Sequence, residues 1–144
     1  MSADNQPIQL AKDTITKDNI NLLVQWLSQE TTPQLTKGPK TEEFEKLWAK
    51  EVGTQYAVFV NSGSSANLIS LYVLKVCNRL RNNNIVVPAL SWITDISPVI
   101  QLGMNPILCD CNMKDLSVDL KHLEEIFEKD KPSVLLLVSI LGLV

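Results

Sequence analysis

The chain has no excess of basic charge: 13 Lys and Arg stand against 16 Asp and Glu, a net −3 over 144 residues. Neutralising a phosphate backbone needs a basic face, so the balance argues against nucleic acid as a partner. Long apolar runs are missing too. The longest, residues 134–144, is interrupted by Ser139 and Gly142, and a membrane span needs about 20 residues, so no membrane partner is expected. Cysteine is scarce and odd in number (Cys77, Cys109, Cys111), and the first ten residues are polar, without the apolar stretch of a signal peptide. Both features point to the reducing cytoplasm. With His122 the single histidine, no Cys/His pair stands ready to complete a zinc tetrahedron, and no metal site is expected. Glycine is sparse as well. The strand-to-helix junction around Gly63 has one glycine and no following Lys, which excludes both the G-x-G-x-x-G and the P-loop fingerprints.

What is present is the make-up of a folded chain: 45% hydrophobic and 20% charged residues, enough to bury a core. The most informative stretch is that same junction. Apolar residues 56–60 run into Asn61, Ser62, Gly63, Ser64, Ser65, Ala66 and Asn67, small residues that leave the backbone uncovered at the start of a helix. Helix N-terminal amides lack intrahelical partners and carry the positive end of the macrodipole, so they form an anion cradle. An ordinary serine-capped helix accounts for the same pattern.

The first dozen residues read as a mobile arm. Residues 18–29 carry Ile20, Leu23, Val24 and Leu27 at helical spacing, ended by Pro33. Residues 36–40 read as a loop, and Thr41 with Glu42 and Glu43 opens a second helix reaching to Gly53. Strands and helices then alternate: strand 56–60, helix 64–80, strand 85–87, helix 93–102, strand 106–109, loop 110–118, helix 119–128 with Asp119 as its cap, and strand 134–138. Four short apolar strands with helical crossovers predict an α/β fold with a parallel sheet and helices on both faces.

Ligands of open α/β sheets bind beyond the carboxyl ends of the strands. Trp92 stands there, where it can stack on a flat ring or cover a core edge. His122, beside Glu124, Glu125 and Glu128, reads as part of a solvated helix face. Asp110 reads as a turn carboxylate capping local amides.

Five segments at consistent spacing resemble the DegT/DnrJ/EryC1/StrS family of sugar aminotransferases. Gly38-Pro39 with Phe44-Glu45 is similar to its G-P-x-x-x-x-F-E entry, and residues 57–67 to A-V-x-x-S-S-G-T-A-A-L. Residues 86–92 resemble V-P-A-x-T-F/W, residues 101–110 x-x-G-x-x-P-V-F-V-D, and residues 116–123 N-L-D-x-x-x-L-E. The resemblance implies a three-layer αβα fold with a mostly parallel sheet, part of the large domain of a fold type I transferase dependent on pyridoxal 5'-phosphate (PLP). Residues 1–40 would form an arm, helix and loop, and residues 41–144 an incomplete PLP-binding domain. It further implies that Gly63, Ser64 and Ser65 hold the cofactor phosphate, that Trp92 stacks on the pyridine ring, and that Gly38 lies near the substrate entrance or a partner subunit of a homodimer. A nucleotide-linked keto sugar and an amino-acid donor are the implied substrates. Serine in place of the family's Thr-Ala pair, with residues 91–98, looks closer to the sugar 3-dehydratase branch.

The family's Schiff-base lysine, or the dehydratases' histidine, lies on later strands, as does the carboxylate facing the pyridine nitrogen. None of Lys46, Lys50, Lys75, Lys114, Lys121, Lys129 or Lys131 matches that position, so no catalytic residue is assigned and the chain alone is expected to be inactive. The expected function is the N-terminal part of a PLP-dependent nucleotide-sugar aminotransferase, with a 4-keto-6-deoxysugar 3-dehydratase as the alternative. A non-catalytic phosphate-ligand binding module, or a relic fragment, is the reading of another class.

Overall fold

In the computed structural model, which describes residues 13–142, the chain divides into two compact units, one up to Phe59 and one from Val60. The arm expected over the first dozen residues and the last two residues of the apolar run lie outside the described residues. Among those described, no helix is long and apolar enough to cross a membrane.

The first unit holds two helices. Helix α1, Lys17–Leu27, opens on a reciprocal cap: the Asn19 amide donates to Thr16 Oγ1 at 3.3 Å, and the Thr16 amide donates to Asn19 Oδ1 at 2.8 Å. Its apolar positions Ile20, Leu23, Val24 and Leu27 are exposed. Helix α2, Pro39–Glu51, starts two residues before the expected Thr41, because Pro39 is preset for the first helical position and has no amide to leave orphaned. Gly38 precedes it, buried, where an added Cβ would lie 2.7 Å from the Gln34 carbonyl oxygen, so only glycine fits. Phe44 stacks on Trp48 and meets Phe59 edge-on, with ring centroids 6.1 and 5.4 Å apart.

No strand forms over residues 56–60, contrary to the sequence expectation. Tyr56 and Val58 are 76% and 75% exposed. Phe59 donates its amide to Glu45 Oε1 at 2.8 Å, a side-chain partner rather than a ladder partner. A strand exists only when a neighbour pairs with it, and no described residue does so.

The second unit is a parallel sheet between helices. Strands β1 (Asn84–Pro88), β2 (Asn105–Cys109) and β3 (Val134–Leu135) lie in the order β2-β1-β3. Period-two alternation divides the central strand between two cores. Ile85 and Val87 pack with Leu71 of helix α3 (Gly63–Val76), Val99 of helix α4 (Ile93–Gln101) and Met104. Val86 faces the other way, onto Cys109 and Ile126 of helix α5 (Leu120–Asp130). Helices therefore cover both faces, giving the expected three layers. Ile85, Val86 and Val87 are fully buried, each contributing about 1.5–3 kcal/mol of apolar transfer.

Two boundaries differ from expectation for local reasons. Helix α3 stops at Val76 rather than Leu80 because Asn78 takes a left-handed φ of 52°. The Asn78 and Arg79 amides then turn back onto the Lys75 and Leu74 carbonyls at 3.1 and 2.9 Å, a Schellman cap. Strand β3 is two residues long rather than five. Its last bond runs from the Leu136 amide to the Val86 carbonyl at 2.9 Å, and Pro88, next on that side of β1, has no N–H to continue the ladder.

At the amino ends of the strands, side-chain amides tie the elements together. Asn84 Nδ2 donates to the Asp130 carbonyl at 3.0 Å and Asn84 Oδ1 accepts from Asn105 Nδ2 at 2.9 Å. Asn82 donates its amide to Ser133 Oγ at 2.8 Å.

Candidate functional site

The opposite end of the sheet, where β1 and β2 finish, gathers the groups that sequence reading placed there. Ser62 caps α3, its Oγ accepting from the Ser65 amide at 3.2 Å, and the two hydroxyls of Ser62 and Ser65 are also 3.2 Å apart. The Ala66 amide closes on the Ser62 carbonyl at 3.1 Å. The amides of Gly63 and Ser64 thus have no partner among the described residues, and the first turn carries no acidic side chain. Ser64 is exposed and Ser65 half-buried. Two free amides at the positive end of a 14-residue helix present donors to an anion.

Trp92 is the residue immediately before α4, and its side chain does not cover the core: the residue is 75% exposed. It borders a cleft of about 290 Å³ lined mainly by apolar residues, including Val87, Pro88, Ile96 and Leu108, at the ends of β1 and β2. An exposed indole beside an apolar cleft suits a flat ring.

Sequence reading missed what joins these two features. Asp95 is 6% exposed, the one buried charged residue among those described. Its Oδ2 accepts from the Ser91 hydroxyl and, at 3.2 Å, from the Trp92 amide. Its Oδ1 accepts from Asn67 Nδ2, on the next turn of α3, at 2.8 Å. A carboxylate three residues after the residue preceding a helix is a capping signal, visible in the sequence at Trp92 and Asp95; the reach to Asn67 is not.

The residues set aside behave as structural groups. Asp110 Oδ1 accepts from the Cys111 amide at 2.8 Å, as expected of a turn carboxylate, and Asp119 caps α5 by accepting from the His122 amide at 2.9 Å. His122 departs from the expected solvated face: it is half-buried, and its Nδ1 accepts from the Asp110 amide at 3.1 Å. Cys109, fully buried, donates its thiol to the Asp119 carbonyl at 3.7 Å. Burial, then the nearby Asp119 and Asp110 charges, push its thiol pKa up.

A parallel sheet covered on both faces, with a helix N-terminus and an exposed tryptophan at its carboxyl edge, defines an open α/β domain, a class whose ligands bind beyond the carboxyl ends of the strands. The chain matches the DegT/DnrJ/EryC1/StrS aminotransferase family over residues 13–144 and belongs to it. It is 36% identical over 110 residues to the GDP-4-keto-6-deoxy-D-mannose 3-dehydratase of Yersinia pseudotuberculosis, a match covering 74% of this chain and 28% of that protein. Among solved structures, it superposes on the E. coli GDP-4-keto-6-deoxy-D-mannose-3-dehydratase with bound hydrated PLP at a TM-score of 0.70 and 31% identity, over 81% of this chain and 30% of the other. A GDP-4-keto-6-deoxymannose-3-dehydratase with a trapped PLP-glutamate geminal diamine gives 0.70 and 30%, over 83% and 31%. The chain thus spans 28% of the length of the curated relative it matches. The family and fold that the motifs imply are those the comparisons return.

Proposed function

We propose that this chain forms the cofactor-phosphate and ring-stacking portion of a PLP-dependent enzyme acting on a nucleotide-linked 4-keto sugar. The observation that carries the reading is the pair of amides at Gly63 and Ser64 without partners among the described residues, held in one unit with an exposed Trp92. These residues fit the cofactor. An anionic phosphate accepts from the two amides and the Ser64 hydroxyl, with no carboxylate in the first turn to repel it. Ser65, whose amide is engaged by Ser62, offers its hydroxyl. Trp92 offers its face to the pyridine ring and, with the apolar cleft wall, excludes water from it. PLP, when bound, supplies the electron sink that amino transfer and hydroxyl elimination both require.

Of the two reactions, 3-dehydration of a 4-keto-6-deoxy sugar is favoured over amino transfer, because relatives with 30–36% identity bear the dehydratase name. The lysine or histidine that acts on substrate is assigned to sequence outside this chain. Residues 41–144 serve as the PLP-binding part. A homodimer, a glutamate-type amino donor and a cytoplasmic setting complete the reading.

The test is PLP binding by the 144-residue chain, followed by quenching of tryptophan emission. Saturable quenching is expected, weakened about tenfold or more by Ser64→Asp, which sets a carboxylate against the phosphate; for Trp92→Ala, which removes the reporter, a similar loss is read by equilibrium dialysis of PLP. Pyridoxal, which lacks the phosphate, should bind far more weakly. Equal binding of PLP and pyridoxal would remove the cradle from the reading.

A further inference from the structure

Asp95 is buried and has no lysine or arginine paired with it among the described residues. Removing a carboxylate from water is costly unless donors replace its hydration. Three donors do so here, and they come from two elements. The Ser91 hydroxyl and Trp92 amide belong to the loop that presents the indole. Asn67 Nδ2, at 2.8 Å, belongs to α3, one turn beyond the cradle amides of Gly63 and Ser64. Charge-assisted bonds of this kind are about twice as strong as neutral ones.

We propose that Asp95 is a positioning residue that fixes the spacing between the α3 anion cradle and the Trp92 ring by clamping the Ser91–Trp92 loop to Asn67. The inference rests on the cofactor reading above. A ligand with a phosphate at one end and a ring at the other gains from both contacts together only if their separation is held; otherwise ordering the loop offsets the second contact. Inorganic phosphate, which uses the cradle alone, gains nothing from the clamp. The two ligands therefore separate a positioning role from a merely structural one.

The experiment uses the full chain with Trp26→Phe and Trp48→Phe, which leaves Trp92 as the sole tryptophan. Asp95→Asn replaces one acceptor oxygen by a donor. Asn67→Ala cuts the tether to α3 and leaves both cradle and indole in place, so it serves should Asp95→Asn fail to fold by circular dichroism. PLP affinity is read by Trp92 quenching, phosphate affinity by amide NMR shifts of Gly63 and Ser64, and loop order by Trp92 anisotropy without ligand. Each variant is expected to lower the anisotropy and to weaken PLP about tenfold, while phosphate affinity stays within about twofold. Unchanged anisotropy and PLP affinity in a folded variant would overturn the proposal, as would an equal loss of PLP and phosphate. Absence of PLP quenching in the parent chain would instead overturn the cofactor reading, and the positioning role with it.

Discussion

Asn84→Ala removes the side chain that joins three elements at the amino end of the sheet. Its Nδ2 reaches the Asp130 carbonyl at the end of α5, and its Oδ1 receives Asn105 Nδ2 from β2. The backbone bonds of residue 84, from its amide to Asn82 Oδ1 and from Ser133 to its carbonyl, survive the substitution. Asn105 is exposed and water replaces its lost partner, so that half costs about 0.5 kcal/mol; the half-buried Asp130 carbonyl is rehydrated less well and costs about 1 kcal/mol. The expected sum is roughly 1.5 kcal/mol, which lowers a urea midpoint by about 1 M at an m-value of 1–2 kcal/mol/M. Urea unfolding followed by far-UV circular dichroism reads it. Asn84→Asp sharpens the test, since at pH 7 its carboxylate faces the Asp130 carbonyl and should cost more than alanine. Below about pH 4 it is protonated, can donate again, and should recover. An alanine variant within about 0.5 kcal/mol of the parent, or an aspartate variant insensitive to pH, would refute the reasoning.

Three further outcomes follow from single side chains. In native protein at pH 8, Ellman's reagent should modify exposed Cys77 readily and leave buried Cys109 untouched until denaturant is added. The raised Cys109 pKa means that its contribution to stability is intact below the ordinary thiol range and is lost as pH climbs from there toward the raised value; Cys109→Ser should flatten that alkaline decline. Asp115 is held below the ordinary carboxylate range by the Ser117 hydroxyl at 2.7 Å and then its amide at 3.0 Å. Its support of the turn is present above the ordinary range and lost as pH falls through the lowered value, and Ser117→Ala should bring the Asp115 titration, read by carboxyl NMR shifts, back up.

The middle of the chain was legible because its signals are local. Residues 85–87 are apolar on both faces and form the buried centre of the sheet, while Asp119 caps its helix as its position before an amphipathic stretch indicated. Gly63 opens α3 with Ser62 as the cap. Most failures fall where a distant partner decides, and one falls on a single backbone angle. Residues 56–60 have strand composition, but composition reports only a capacity to pair. Asn78 ends α3 because asparagine tolerates a left-handed φ, which an apolar continuation through Leu80 concealed. Asp95 could be read as a cap of α4, yet its bond to Asn67 joins residues 28 apart. His122 looked solvated among glutamates because the Asp110 amide it accepts from is brought alongside by β2.

The two ends of the sheet differ in how completely their polar groups are satisfied. At the amino end, Asn82, Asn84, Asn105 and Ser133 satisfy one another and the last carbonyls of α5. Little there remains to receive a ligand. At the carboxyl end, the Gly63 and Ser64 amides and the Trp92 indole lack partners among the described residues, in an otherwise well-bonded unit. Filling those positions with intramolecular partners would stabilise the fold by about 1 kcal/mol per bond. The exception at that end is Asp95, whose three bonds go to the residues that hold the open groups in place. A carboxylate there, rather than an apolar residue of similar size, costs desolvation that core packing would have avoided. That cost makes sense if the spacing between the cradle and the indole is itself the useful quantity.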